Sequence, residues 1–169
     1  MKDIESMDTP ALVALLADLL CGKQWMMSTA ESCTGGLIAG ACTDLAGSSD
    51  WFERGFVTYS NAAKTELLGV DAALIATHGA VSEPVARAMA EGAVAHSLAQ
   101  VAVAVTGVAG PSGGSAEKPV GTVWFGWSVG GQLRSERRQF DGDRATVRAA
   151  TVHYALQALV HFIIRNPSQ

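Results

Sequence analysis

The residue best placed to do chemistry is Ser32, in Ala30-Glu31-Ser32-Cys33-Thr34-Gly35-Gly36, where an apolar run gives way to a small, polar, glycine-bearing turn. A serine hydroxyl attacks a carbonyl only when a neighbouring base takes its proton. The four histidines, His78, His96, His153 and His161, fall on or near predicted helices and adjoin no motif, so no Ser-His-Asp set declares itself. Lysine remains as a base, because burial or a nearby positive charge lowers its pKa and frees the neutral amine. Lys64 is the best placed of four lysines, with a solvated helix lysine as its other reading. Cys33 is a rival nucleophile or a small buried side chain.

These residues need elements to hold them. Trp25 to Ala30 is predicted as a short buried strand, and Leu37 to Leu45 carries apolar residues at helical spacing. Ser32 then sits at a strand-to-helix turn, where unpaired helix N–H groups and the helix dipole suit an anion or a developing oxyanion. Gly35 and Gly36 let another molecule approach that backbone. The plainer alternative makes Ser32 or Thr34 an N-cap. Trp51 to Tyr59 is predicted as a second strand; Ser60-Asn61 then caps a short helix that Gly69 closes, so Tyr59 and Lys64 flank a second such junction.

Thr9-Pro10 opens an earlier helix that Gly22 ends, apolar almost all round, so that it packs on two sides. Asp71 to His78 and a helix opened by Ser82-Glu83-Pro84 follow. Val101 to Val105 reads as a strand buried on both faces. It ends at the glycine-rich loop Thr106 to Gly114, which matches neither the P-loop nor the dinucleotide pattern. Thr122 to Val129, Gly130-Gly131 and Leu133 to Phe140 form a predicted hairpin, and Asp143 caps a long helix from Arg144 to about Arg165. Arg144 then faces an anion if that helix begins at the site, or is an exposed helix-start arginine. About five strands interleaved with five or six helices predict an α/β fold: a mixed, mostly parallel sheet with helices on both faces. Ligands bind such sheets beyond the strands' carboxyl ends, where the Ser32, Tyr59–Lys64 and Thr106 segments all lie.

At 169 residues the chain is most economically one domain, residues 1–169, able to bury a core unaided. With 49% hydrophobic and 17% charged residues it is compact, not disordered. A net charge of -4 argues against a nucleic-acid surface. Met1 to Ser6 lacks a signal peptide's features, and no apolar run approaches the ~20 residues that span a bilayer. Cys21, Cys33 and Cys42 form no CxxC pair and read as reduced thiols, so a cytoplasmic, membrane-free protein is expected. No HxxxH, HExxH or Cys/His cluster suggests a metal. Trp51 and Trp127, taken as exposed, suggest a homo-oligomer.

Five segments taken in order add a resemblance. Ala30 to Gly36, Thr58 to Lys64, His78 to Glu83, Thr106 to Pro111 and Lys118 to Trp124 together resemble the CinA C-terminal domain family, over about Asp8 to Ala158. The resemblance implies a three-layer α/β/α sandwich with a mixed sheet. It also implies deamidation of nicotinamide mononucleotide to nicotinate mononucleotide and ammonia, without cofactor or metal. Matched to the family's serine, tyrosine and lysine, Ser32 would be the nucleophile, Lys64 the base and Tyr59 a proton relay or positioner. Backbone N–H groups of Cys33, Thr34, Gly35 and Gly36 would hold the oxyanion. Arg144 and the loop residues Thr106, Gly107 and Gly110 would hold phosphate or ribose, with Lys118 a further phosphate candidate or an exposed loop residue. The rival expectation is a non-catalytic nucleotide-binding module, or an accessory protein in DNA uptake or damage response.

Overall fold

The computed structural model describes residues 3–166. Strands β1 (Met27–Glu31), β2 (Phe52–Val57), β3 (Val101–Gly107), β4 (Thr122–Val129) and β5 (Gln132–Gln139) form one sheet in the order β2-β1-β3-β4-β5. β1 pairs in parallel with both β2 and β3, while β3–β4 and β4–β5 are antiparallel. Four strands therefore point the same way and β4 alone runs against them. The expected α/β class and mixed sheet are present, with one more antiparallel ladder than the predicted hairpin supplies.

Among the described residues, six α-helices flank the sheet: α1 (Thr9–Lys23), α2 (Leu37–Thr43), α3 (Asn61–Leu68), α4 (Ala72–His78), α5 (Glu83–Ala95) and α6 (Arg144–Arg165). One core joins α1, α2 and α6 to one sheet face through Leu12, Leu16, Ile38, Val103, Phe125 and Leu159. A second joins α3, α4 and α5 to the other through Leu68, Ile75, Met89, Ala102 and Ala104. Being covered on both faces, β1 and the first six residues of β3 are buried throughout, as the continuous Val-Ala run of β3 requires. Alanine at 90, 102 and 104 lets α5 lie close on the sheet, and Gly126 lets it lie closer still: a Cβ there would come within 2.4 Å of the Ala86 carbonyl oxygen.

Several sequence expectations are corrected. α1 opens at Thr9-Pro10 as expected, capped by Asp8, whose carboxylate accepts from Ala11 N at 2.9 Å. It runs through Gly22, whose missing side chain faces open space, and ends at Gln24, left-handed at φ 55. It packs on α6 and α2. The β1 strand begins at Met27, not Trp25, and Thr106 and Gly107 belong to β3 instead of its loop. Trp51 and Trp127 are 1% and 2% exposed. Trp127 stacks on Phe125 and donates its indole N–H to Ala155 O, which removes the exposed aromatics from which self-association was expected. By length and hydropathy α6 reaches the size of a membrane span, but half of its most apolar stretch is buried inside the fold. Of Met1 to Ser6, the first two residues lie outside the described residues.

Candidate active site

β1 lies between β2 and β3 in the sheet, so the turn after it is flanked by the turns after those two strands. Those three strand ends, with α6, enclose a cleft of about 260 Å³ lined by Ser32, Cys33, Tyr59, Asn61, Lys64, Ala80, Val81, Thr106, Gly107, Ala109 and Arg144. The three segments expected to converge thus share one cavity.

Lys64 lies one turn into α3, whose N-terminus is fixed by Ser60 Oγ accepting from Ala63 N at 3.0 Å. Helical side chains lean back toward the N-terminus, so the lysine reaches beneath the end of β2. Its Nζ lies 3.0 Å from Ser32 Oγ, 2.8 Å from Thr58 O and 3.3 Å from Tyr59 O. The side chain is buried, at 1% exposure. Burial lowers its pKa, partly opposed by Cys33. Nζ also lies 3.5 Å from Ser60 O; a neutral amine donating its two N–H groups to the nearer oxygens, Thr58 O and Tyr59 O, would keep its lone pair toward Ser32 Oγ. Ser32 Oγ also lies 3.5 Å from Tyr59 O, so its O–H has two acceptors within reach.

The turn after Ser32 is held from two sides. On one, the fully buried Glu31 carboxylate accepts from Thr34 Oγ1 at 2.6 Å, Ile38 N at 2.8 Å and Ala39 N at 3.0 Å. Neither Ser32 nor Thr34 is therefore the cap of α2: Glu31 reaches over the turn and takes the orphan N–H groups. On the other, Arg148 from α6 donates Nε to Cys33 O at 3.1 Å and Nη2 to Thr34 O at 3.2 Å. Gly35 and Gly36 have φ of 58 and 104, which makes this a glycine turn. Gly35 N donates to Ser32 O, so it is not a free donor. Among the described residues, the N–H groups of Cys33, Thr34 and Gly36 donate to no other residue, and of these three Cys33 lines the cleft.

Tyr59 contributes its main chain to the serine–lysine pair, and its phenol goes elsewhere. The side chain is 61% exposed, with the hydroxyl 3.2 Å from Arg144 Nη2. Arg144 also donates Nη1 to Gly110 O, bracing the loop after β3 across the cleft mouth. Thr106 Oγ1 donates to Ala80 O. A Cβ on Gly107 would lie 2.8 Å from Val123, and one on Gly110 2.4 Å from Val120, so both glycines answer to packing against the start of β4. Lys118 donates Nζ to His78 O at 2.8 Å and is absent from the cleft lining. Burial raises the Cys33 thiol to about 11, leaving it protonated near neutral pH. None of the four histidines lines the cleft. No group of three or more His, Cys, Asp or Glu able to hold a metal gathers among the described residues.

Sequence reasoning passed over Glu31, Arg148 and the Thr58 carbonyl. A charge at the end of a wholly buried strand was the available signal for Glu31. For Arg148 it was the four-residue spacing from Arg144, which puts both on one face of α6. Nothing in residue type announces a main-chain carbonyl.

A model of the CinA C-terminal domain matches residues 10–163. The chain is 55% identical over 148 residues to the nicotinamide-nucleotide amidohydrolase PncC of Enterobacter agglomerans, covering 87% of this chain and 90% of that one. It is 60% identical over 134 residues to PncC of Pseudomonas putida, covering 79% and 84%. Among solved structures, the competence damage-inducible protein A of Klebsiella pneumoniae superposes with a TM-score of 0.90 at 42% identity, over 94% of this chain and 98% of that chain.

Proposed function

The chain belongs to the CinA C-terminal domain family, and from that premise we propose that it hydrolyses the carboxamide of nicotinamide mononucleotide to nicotinate mononucleotide and ammonia, with Ser32 as nucleophile and Lys64 as base. The observation that carries this reading is the 3.0 Å contact between Ser32 Oγ and an almost fully buried Lys64 Nζ. The relatives' names support the substrate.

Ser32 Oγ bonds to the carboxamide carbon while its proton passes to Lys64 Nζ. The oxyanion forms beside Cys33 N–H, the residue directly after the nucleophile, in a turn held by Glu31 and Arg148. Such a donor is worth roughly 3 to 4 kcal/mol of barrier. Collapse breaks the C–N bond, and the lysine proton goes to the departing nitrogen, releasing ammonia. Water then attacks the Ser32 ester, giving its proton to Lys64; the ester C–O bond breaks and the proton returns to Ser32 Oγ. Arg144 at the cleft mouth, with Tyr59 hydroxyl beside it, faces the phosphate or ribose. In this geometry the tyrosine phenol orients Arg144 and substrate, and the relay is left to Lys64.

Purified protein is expected to release ammonia from nicotinamide mononucleotide, and Ser32→Ala to lose at least ~10³-fold in kcat while still binding substrate. Unchanged turnover in Ser32→Ala would remove Ser32 from the mechanism. Binding without ammonia release by the wild type would favour the non-catalytic nucleotide-binding reading.

A further inference from the structure

Arg148 stands one turn beyond Arg144 on α6, and its guanidinium is committed to the nucleophile turn. Nε and Nη2 donate to the carbonyls of Cys33 and Thr34, and Nη2 lies over Gly35, 3.6 Å from where a Cβ would stand. The peptide group whose oxygen is Thr34 O carries Gly35 N–H, and that N–H donates to Ser32 O at 3.1 Å. The peptide group whose oxygen is Ser32 O carries in turn the N–H of Cys33, which donates to no other residue among those described and belongs to a residue lining the cleft. A donor on a carbonyl polarises the N–H of the same peptide, and successive bonds reinforce one another by about 10–30% each. Two peptide groups therefore connect a fixed positive charge to the amide beside Ser32 Oγ.

We propose that Arg148 is a positioning residue for reaction at Ser32, which fixes the Cys33–Gly35 turn and, through the Thr34–Gly35 and Ser32–Cys33 peptides, strengthens Cys33 N–H as the oxyanion donor. This rests on the reading of Ser32 as nucleophile. It assigns Arg148 a task different from gripping phosphate, although Arg144 and Arg148 together line a neighbouring hollow of about 650 Å³. The two tasks separate kinetically: an interaction made only with the transition state lowers kcat, whereas one made equally with the bound substrate raises KM.

Arg148→Gln and Arg148→Lys are to be assayed on nicotinamide mononucleotide and on nicotinamide riboside, which lacks the phosphate. In parallel, sulfonylation of Ser32 by phenylmethylsulfonyl fluoride is followed by intact mass, since it reads the same nucleophile and donor without either substrate. The expected result is a kcat loss of about 10- to 100-fold on both substrates, KM within about 3-fold, and sulfonylation slowed to match, with the melting transition still cooperative. Lysine restores the charge but not the two-carbonyl fork, so it recovers only part of the rate; added guanidinium ion recovers part of the rate of Arg148→Ala. An unchanged kcat overturns the proposal, as does a loss confined to KM for the phosphate-bearing substrate. If the wild type is sulfonylated at Ser32 but releases no ammonia, the substrate reading fails, and the labelling rates of the variants still decide the role of Arg148.

Discussion

Replacing Glu31 by Gln tests how the turn after Ser32 is held. The carboxylate makes three hydrogen bonds with no exposure to solvent, two through Oε1 to Thr34 Oγ1 and Ile38 N and one through Oε2 to Ala39 N. A glutamine oxygen at the Oε1 position keeps the first two, but its NH₂ then faces Ala39 N–H, donor against donor. The lost bond to a charged acceptor is worth about 1.5–3 kcal/mol, and the lost anion at the start of α2 about 0.3–1 kcal/mol more. A total of about 2–4 kcal/mol corresponds to a fall in melting temperature of about 5–15 °C for a chain of this length. The assay is thermal and urea unfolding, with kcat measured on the folded protein. Because the same carboxylate anchors the residues after Ser32, kcat should fall about 10- to 100-fold even where the variant is fully folded. Glu31→Ala, which loses all three bonds, should be worse on both counts. A shift under about 2 °C together with wild-type kcat would refute the account of how this turn is built.

The remaining predictions concern titration and the main chain. For the proposed amidase, kcat/KM should rise with pH through the lowered Lys64 pKa, because only the neutral amine accepts the serine proton; Lys64→Arg should abolish turnover, and a flat acidic limb in the wild type would count against lysine as base. The same lysine binds more protons unfolded than folded between its lowered pKa and the ordinary lysine value, so its contribution to stability grows with pH across that window; urea unfolding of wild type against Lys64→Met, compared across pH, should show it. Iodoacetamide near pH 7.5 should modify exposed Cys21 alone in the native protein and all three cysteines in denaturant, since Cys33 and Cys42 are buried and raised to about 11 and about 12; Cys33→Ala should keep its activity, and loss of turnover there would reinstate the thiol as a participant. Thr58 Oγ1 is buried with no partner, so Thr58→Val should stabilise by about 1 kcal/mol, readable as a rise of a few degrees in melting temperature, with turnover unchanged.

Periodicity and capping made most of the fold legible in the sequence. Asp143 and Ser60 cap helices where the sequence predicts, Asp71 caps the segment it was expected to begin, and Gly130-Gly131 turns the hairpin. Misplaced boundaries trace to local rules that packing overrode: Gly22 is tolerated within α1 because its position faces open space, and Trp51 and Trp127 fill the core although neither strand pattern said which face was inward. The meeting of Ser32 with Lys64 followed from strand-end topology, and the structure brings them to 3.0 Å. The supports of that pair were not legible. Lys64 is held by carbonyls, which every residue owns, and Arg148 acts from 115 positions downstream of Cys33 through a helix whose placement only the fold decides.

The lysine's cradle has a consequence for how this protein could change. Since Thr58, Tyr59 and Ser60 present only their peptide oxygens to Nζ, the side chains at those positions take no part in the proton transfer proposed for Lys64. The lip of the cleft, at Asn61, Ala80 and Val81, is built from different segments again. If the proposed amidase reading holds, a library randomised at the lip should thus yield altered amide preferences with the Ser32–Lys64 contact untouched, and a scaffold whose proposed reactive pair tolerates remodelling at arm's length is a natural starting point for diversifying substrates.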